Sequence, residues 1–383
     1  MGTILNYLQS HGNLDFDQFP FNDVDSLILA EMSYLLWDGF VPDYKEDGAW
    51  VPLHIFQEDF VMDLLVAGSL EPKRNRKLLA ACIASRRFGS MKLNYYHSKL
   101  DSEEETQFSA VTFQLKQNLF YIAFRGTDAS ILGWKEDFNM AFLSYIPGQR
   151  EAKAYLEYVA DKLDGNLLIG GHSKGGNLSL FSSTFCRPDI QPRILRIFDH
   201  DGPGFKEPIF DLPEFKAIEA KVSKTIPHDS FVGILLHHYD RFRVVKSLTI
   251  GVLQHDVFSW SVENGSFTYM DKTTYNSRLV DQTLYDWMSK ISDENRSEIV
   301  NVFFDVIASA NLKSLHDLRY NILKNLRQML KKITSLDRKT KKLFFKTVKD
   351  LVFVYFKNVM VSIQNRVTSK QIEEQDEFDD FDE

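Results

Sequence analysis

The hydrophobic positions of the chain change from helical spacing to strand-like runs about a quarter of the way along it. Residues 22–90 carry apolar side chains at helical spacing, which predicts helices that pack before or over a sheet. Over residues 108–115 and 119–124, β-branched and aromatic side chains predict two strands. The short polar segment between these two runs predicts a hairpin turn, so the sheet is expected to begin here.

Downstream of this hairpin, helical and strand-like segments alternate. Helical spacing at 152–163 ends at a glycine and is followed by the apolar run 167–169. Three further strands are predicted at 194–198, 221–226 and 242–246, each pair separated by a helical or looping segment. Strands that alternate with helices predict an α/β fold with a mostly parallel sheet covered by helices.

The pattern divides the chain into three parts. Residues 1–270 are expected to form the α/β domain with its N-terminal helices. Residues 271–370 have helical spacing with few glycines or prolines, which predicts a helical extension. Residues 371–383 are an acidic tail, which is expected to be disordered because it has too little apolar surface to bury.

Charge is unevenly distributed within the extension. Residues 313–357 contain 13 Lys or Arg and 3 Asp, whereas the whole chain has a formal net charge of −8. This basic segment fits either the solvated face of a helical bundle or contact with an anionic membrane, and we favour the first interpretation. Nucleic acid is not an expected partner, and the oligomeric state is left open.

Composition and termini indicate a soluble protein of a reducing compartment. The chain has 383 residues, 44% of them hydrophobic, and its two cysteines, Cys82 and Cys186, are expected to be small core residues rather than disulfide partners. The first residues lack a basic region followed by a long apolar run, and 351–363 is too short to span a bilayer. We therefore expect a cytoplasmic location.

A Gly-x-Ser-x-Gly motif lies where a predicted strand meets a predicted helix. Gly171 and Gly175 flank Ser173, and this arrangement is typical of a nucleophile elbow, a sharp turn that exposes the serine hydroxyl above the sheet. Glycine is needed at both positions because a β-carbon there would collide with the strand and the helix. The amide of Lys174, at the start of the helix, is a candidate donor to an oxyanion.

A nucleophilic serine needs a histidine as base and a carboxylate to orient that histidine. In this fold the order is serine, acid, histidine, each after a later strand. By position, Asp229 is the predicted acid and His255 the predicted base, while Asp199 and Asp201 remain rival acids. Other histidines in this half of the chain are expected to have structural or solvated roles: His200, His228, His237 and His238.

Upstream of the elbow, a predicted strand ends in Arg125-Gly126-Thr127. The amide of Thr127 can point to the same place as the Lys174 amide, with the threonine hydroxyl as a further candidate donor. Two such donors form an oxyanion hole, so the four segments together contain every part of a serine hydrolase site.

With these segments in place, the chain resembles the lipase class 3 group of α/β-hydrolases and, more closely, the bacterial Mbeg-like family within that group. The resemblance covers roughly residues 1–265. It rests on residues 123–128 with Trp134 and Asp137, 171–178, 198–205, 226–233 and 254–256.

The resemblance implies a serine hydrolase that cleaves an ester or thioester, lipase-like or lysophospholipase-like, with no metal or cofactor. It assigns Ser173 as nucleophile, Asp229 as acid, His255 as base, and Thr127 with Lys174 as oxyanion donors. Lys174 and the polar segment 199–203 differ from the group's usual residues, which predicts a more polar mouth and disfavours long-chain triglycerides. The alternative is a hydrolase-fold binding or scaffold protein without catalysis that uses its basic helices.

Overall fold

The structure is a computed structural model, and part of the C-terminal region lies outside what it describes. The predicted acidic tail, 371–383, and part of the basic segment belong to that region. The described residues are 2–128, 130–309, 322–347, 349–354 and 357–358.

The chain begins with helices that cover one face of the sheet. Asn22 caps the second helix, since its side-chain oxygen accepts hydrogen bonds from the amides of Val24 and Asp25, and the Asp25 carboxylate accepts the Asn22 amide in return. Proline at the first position starts the fourth helix. These helices are α1 (Ile4–His11), α2 (Asp23–Met32), α3 (Asp59–Val66) and α4 (Pro72–Ala84).

Within the described residues, nine strands form one sheet in the order β1-β2-β3-β4-β5-β6-β7-β8-β11. The five strands from β4 to β8 are parallel, while β1 to β3 and β11 add to the edges in antiparallel pairing. Their bounds are β1 Val51–Pro52, β2 Lys92–Asp101, β3 Thr106–Lys116, β4 Leu119–Phe124, β5 Asn166–His172, β6 Ile194–His200, β7 Val222–Pro227, β8 Phe242–Val245 and β11 Tyr269–Met270. A separate ribbon pairs β9 (Val262–Glu263) with β10 (Ser266–Phe267).

Apolar cores lie on both faces of the sheet. Along β4, Tyr121 and Ala123 join the core beneath α1 to α4, whereas Phe120, Ile122 and Phe124 join the core on the opposite face. This alternation follows from the two-residue period of a strand. Two long helices, α6 (Pro147–Lys162) and α7 (Lys174–Phe185), cover the second face. The shorter α5 (Ile131–Asn139) precedes them in the chain, and α8 (Pro213–Lys216) follows them.

The C-terminal part adds α9 (Tyr275–Met288), α10 (Asp293–Ala308) and α11 (Ile322–Ser335). Helix α10 packs on α5, where Phe304 joins an apolar cluster with Trp134 and Phe142. The start of α9 is tied to the segment after β7, since the Ser277 hydroxyl donates to the Ser230 carbonyl at 2.8 Å. The extension is therefore in contact with the sheet domain through both α9 and α10.

The predicted α/β fold class, with a parallel core covered by helices, is confirmed. The predicted hairpin corresponds to β3 and β4, and the three later predicted strands correspond to β6, β7 and β8. Strand β2 and helix α5 were not predicted. The described cysteines are both free and buried, as the sequence indicated.

A fully buried ion pair connects the N-terminal helices. Arg87 donates to both carboxylate oxygens of Asp25, at 2.6 and 2.5 Å, and Tyr7 donates to the same carboxylate. We expect Asp25→Ala to lower the free energy of unfolding by about 3–5 kcal/mol, because it leaves a buried guanidinium unpaired. Urea unfolding should show almost no change for the control Asp17→Ala, whose side chain is 83% exposed. Equal losses in the two variants would contradict this interpretation.

Candidate active site

Ser173 lies at the junction of β5 and α7 in a strained backbone conformation. Its φ of 59° and ψ of −131° fall outside the regions that non-glycine residues normally adopt. A β-carbon on Gly171 would lie 2.3 Å from the carbonyl carbon of Gly175, and one on Gly175 would lie 2.1 Å from the carbonyl oxygen of Phe124. The two motif glycines thus allow the strand and helix to approach closely enough to form the turn.

His255 ends a 3-10 turn, Gly251–His255, and its ring lies beside the elbow. The ring centroid is 4.5 Å from that of His172, the residue before Ser173. The His255 Nδ1–H donates to Oδ2 of Asp201 at 2.7 Å. This contact favours the tautomer in which Nδ1 carries the proton and Nε2 is the ring nitrogen that can accept one.

Asp201 is a buried carboxylate directly after β6. Its Oδ1 accepts hydrogen bonds from the Ser230 hydroxyl at 2.5 Å and from the Gly233 amide at 3.1 Å. The loop that carries it packs against the elbow, since a β-carbon on Gly202 would lie 2.9 Å from the Ser173 carbonyl oxygen. All of these contacts hold the carboxylate towards His255.

The prediction that Asp229 contacts His255 is corrected here, because the Asp229 carboxylate has other partners in the structure. Asp229 Oδ2 accepts the Gly251 amide at 2.9 Å, and its Oδ1 accepts the hydroxyl of Thr274, the cap of α9. Its carboxylate therefore ties the histidine loop to the extension. The acid that faces the histidine is Asp201, one of the rivals considered from the sequence.

The other histidines make structural contacts. His200 is buried between Thr225 and Ser26, with ring nitrogens 2.7 and 2.9 Å from the two hydroxyls, and burial lowers its pKa to about 4. His228 Nδ1 accepts the Ser247 amide at 3.1 Å. His237 pairs with Phe205 through the main chain. These contacts leave His255 as the histidine that a buried carboxylate orients beside the elbow.

The segment 125–128, which we call the oxyanion loop, lies against the elbow. A β-carbon on Gly126 would be 2.6 Å from the His172 carbonyl oxygen and 3.2 Å from the Ser173 β-carbon. The Thr127 hydroxyl donates to Oδ2 of Asp137 at 2.5 Å, so its proton is already used. The amide of Thr127, rather than its hydroxyl, is therefore the available donor.

The Lys174 side chain is buried, contrary to the prediction of a polar mouth. Its ammonium donates to Oε2 of Glu136 at 2.7 Å and to both oxygens of Gln107 at 2.8 Å. Asp199, also expected at the mouth, is buried against Lys224 at 2.8 Å. These polar groups are satisfied inside the fold, because their partners come from neighbouring elements.

The family described as Mbeg1-like matches residues 82–305, which is more than half of the chain. The chain belongs to the Mbeg1-like family. The crystal structure of M37 lipase is similar with a TM-score of 0.35 and 14% identity, over 54% of this chain and 67% of the lipase chain. No curated protein matches the chain.

In this Mbeg1-like chain, the end of α2 and the residues after it supply two polar groups that the sequence analysis missed. A β-carbon on Gly126 would lie 2.1 Å from the Tyr34 hydroxyl oxygen, so this hydroxyl and Ser173 flank the same glycine. Glu31 is buried, and burial raises its carboxyl pKa to about 7, with the charges of Asp256 and Glu71 adding to the rise. A Glu and a Tyr three residues apart on one helical segment are too common to signal a site.

Asp137 is a further titratable group beside the oxyanion loop. Burial raises its pKa to about 6, although the Lys174 charge and the Thr127 hydrogen bond favour the ionised form. Among the described residues, no group of three or more His, Cys, Asp or Glu side chains is arranged to hold a metal ion. None of the helices within the described ranges is both long enough and apolar enough to cross a membrane.

The raised pKa of Glu31 predicts a pH-dependent stability for this Mbeg1-like protein. Between about pH 4.5 and pH 7 the folded chain holds a proton that the unfolded chain releases, so stability falls as pH rises through that window. Glu31→Gln should remove this part of the dependence, up to about 3 kcal/mol at pH 8. Urea unfolding at pH 5 and pH 8 measures it. The control Glu103→Gln changes an exposed side chain and should keep the wild-type dependence of the free energy of unfolding on pH. The same wild-type dependence in Glu31→Gln would contradict the assignment.

Proposed function

We propose that this protein is a serine hydrolase that cleaves a carboxylic ester or thioester through Ser173, His255 and Asp201. The observation that carries the proposal is the 2.7 Å contact between His255 and a buried carboxylate, with the imidazole beside a strained serine elbow. A histidine that is oriented by a buried aspartate next to a nucleophile elbow is the arrangement that activates a serine hydroxyl. The α/β fold and the family are consistent with this proposal.

The proposed reaction has two steps. Ser173 Oγ attacks the acyl carbon while His255 Nε2 takes the hydroxyl proton, and the proton then passes to the departing alcohol or thiol. Water next attacks the acyl-enzyme, gives a proton to Nε2, and Ser173 recovers it as the carboxylic acid leaves. Asp201 stabilises the imidazolium in both steps without being protonated itself.

Two backbone amides are proposed to stabilise the oxyanion. Lys174 is the first residue of α7, so its amide is not used inside the helix and lies at the positive end of the helix dipole. The Thr127 amide is the second donor. Each such donor contributes about 10²–10³ to kcat in comparable enzymes.

The substrate is proposed to be an acyl compound, with lipid-like esters, which the resemblance to class 3 lipases suggests, as candidates. Long acyl chains were disfavoured because a polar mouth was expected, but Lys174, Asp199 and Asp201 are buried. Their side chains therefore do not restrict the length of the acyl chain. A cytoplasmic location and the absence of a cofactor stay predictions from the sequence.

Covalent labelling tests the nucleophile. A fluorophosphonate probe should label the wild-type chain and fail to label Ser173→Ala, because the probe reacts with an activated serine hydroxyl. The control Ser289→Ala removes a hydroxyl from the surface of the extension and should label normally. A folded wild-type chain that does not label would support the non-catalytic scaffold instead.

The choice between the two carboxylates is tested by paired variants. Asp201→Asn should lower kcat by about 10⁴, because the histidine then adopts the wrong tautomer. Asp229→Asn should cost less than about tenfold, since the Asp229 carboxylate accepts hydrogen bonds from Gly251 and Thr274 and not from His255. The test compares the rates of hydrolysis of a chromogenic ester by the two variants, under conditions where both melt near the wild-type temperature. The reverse ranking would restore Asp229 as the acid.

A further inference from the structure

The segment just before His255 carries an unusual exposed apolar surface. Residues 247–254 contain no charged side chain. Within them, four aliphatic side chains are largely exposed, and we call these four residues the apolar tip. They are Leu248 (49% exposed), Ile250 (80%), Val252 (66%) and Leu253 (62%).

The loop that carries the apolar tip is held at its base. The Gly251 amide donates to Asp229, the Gln254 side chain donates to the Thr249 carbonyl at 2.9 Å, and the hydroxyls of Ser247 and Ser259 lie 2.8 Å apart. These bonds fix the backbone while the aliphatic side chains point outward. Scattered exposed aliphatic residues are ordinary, but four within six positions on an anchored loop mark an interaction surface.

Charges next to the loop indicate the kind of surface that the tip contacts. Asp256, directly after the catalytic histidine, is paired with Arg74 of α4. The same helix exposes Lys73 and Lys77. An uncharged aliphatic loop with cations on the neighbouring helix complements an anionic phospholipid surface, in which aliphatic groups enter the acyl region and ammonium groups meet the phosphates.

We propose that the apolar tip docks this protein on an anionic phospholipid surface and brings lipid esters to Ser173. His255 lies two residues beyond Leu253, so docking at the tip puts the lipid next to the candidate site. A rigid protein partner on the same loop would instead cover the site. The docking does not require catalysis, whereas the delivery of a lipid ester rests on the proposed function.

Vesicle co-sedimentation tests the docking, with the full-length Ser173→Ala chain as the parent so that no lipid is consumed. The parent should bind phosphatidylcholine vesicles that contain phosphatidylglycerol. Ile250→Asp should weaken binding about tenfold or more, because it puts a charge where an apolar side chain enters the lipid. The control Leu195→Asp changes a leucine that is 47% exposed, close to the 49% of Leu248 in the tip, at the opposite end of the parallel strands, and it should bind like the parent.

A second pair of variants tests the charges. Lys73→Glu with Lys77→Glu should weaken binding to the anionic vesicles, and added salt should reduce the difference from the parent. If the parent binds and neither Ile250→Asp nor the lysine variants weaken that binding, the proposal is overturned. The basic C-terminal helices would then be favoured as the membrane contact. No binding to anionic vesicles would also overturn it.

Three further outcomes separate the alternatives. Self-association of the parent without vesicles, lost in Ile250→Asp, would overturn the proposal in favour of a second copy of the chain on the tip. If the wild type binds vesicles through Ile250 but a fluorophosphonate does not label it, docking is supported and the hydrolase function fails. If a fluorophosphonate labels the wild type but the chain does not bind vesicles, the hydrolase function is supported and the docking proposal fails.

Discussion

The arrangement around the elbow depends on one buried carboxylate, that of Glu136. It has no exposed side-chain surface and accepts hydrogen bonds from the Lys174 ammonium, the Gln107 amide and the Gly148 amide. These donors belong to α7, β3 and the start of α6, so a single group from α5 joins three other elements. A buried charge of this kind is tolerated only when it is fully paired, and loss of one partner costs about 3–5 kcal/mol. The pairing therefore fixes where the first residue of α7 lies, and with it the amide proposed to face the oxyanion.

Local sequence was sufficient to predict the elbow at Ser173, but it was insufficient to predict which carboxylate contacts His255. The turn at Ser173 is determined within a few residues, because two glycines and a strand-to-helix switch leave one conformation available. Asp201 and Asp229 both follow parallel strands, so position along the chain does not separate them. What separates them is a partner 45 residues further on, since Thr274 at the start of α9 takes the Asp229 carboxylate. Periodicity and motif spacing contain no information about such a contact.

The same limit explains the remaining differences from the sequence analysis. Lys174 was expected to make the mouth polar because the lipases that the chain resembles usually have a different residue there, and its burial follows from a glutamate 38 residues upstream. Strand β2 has polar side chains along much of its length and a bulge after Asn94, with Tyr95 at a φ of 54°, so its apolar pattern is weak. The parallel strand β4 is a continuous apolar run, and β5 contains the apolar run 167–169, which is why both could be predicted.

Helix α5 relates the candidate site to the C-terminal helices. On one side it carries Glu136 and Asp137, which hold the elbow helix and the oxyanion loop. On the other side, the Phe138 ring lies 5.8 Å from that of Phe303 and 5.5 Å from that of Phe304, both on α10. The family match extends through most of α10, to residue 305. Because α5 is packed from both sides, the contact with α10 supports the helix whose carboxylates hold Lys174 and Thr127, the residues proposed as oxyanion donors. The extension is in this sense part of the scaffold of the candidate site.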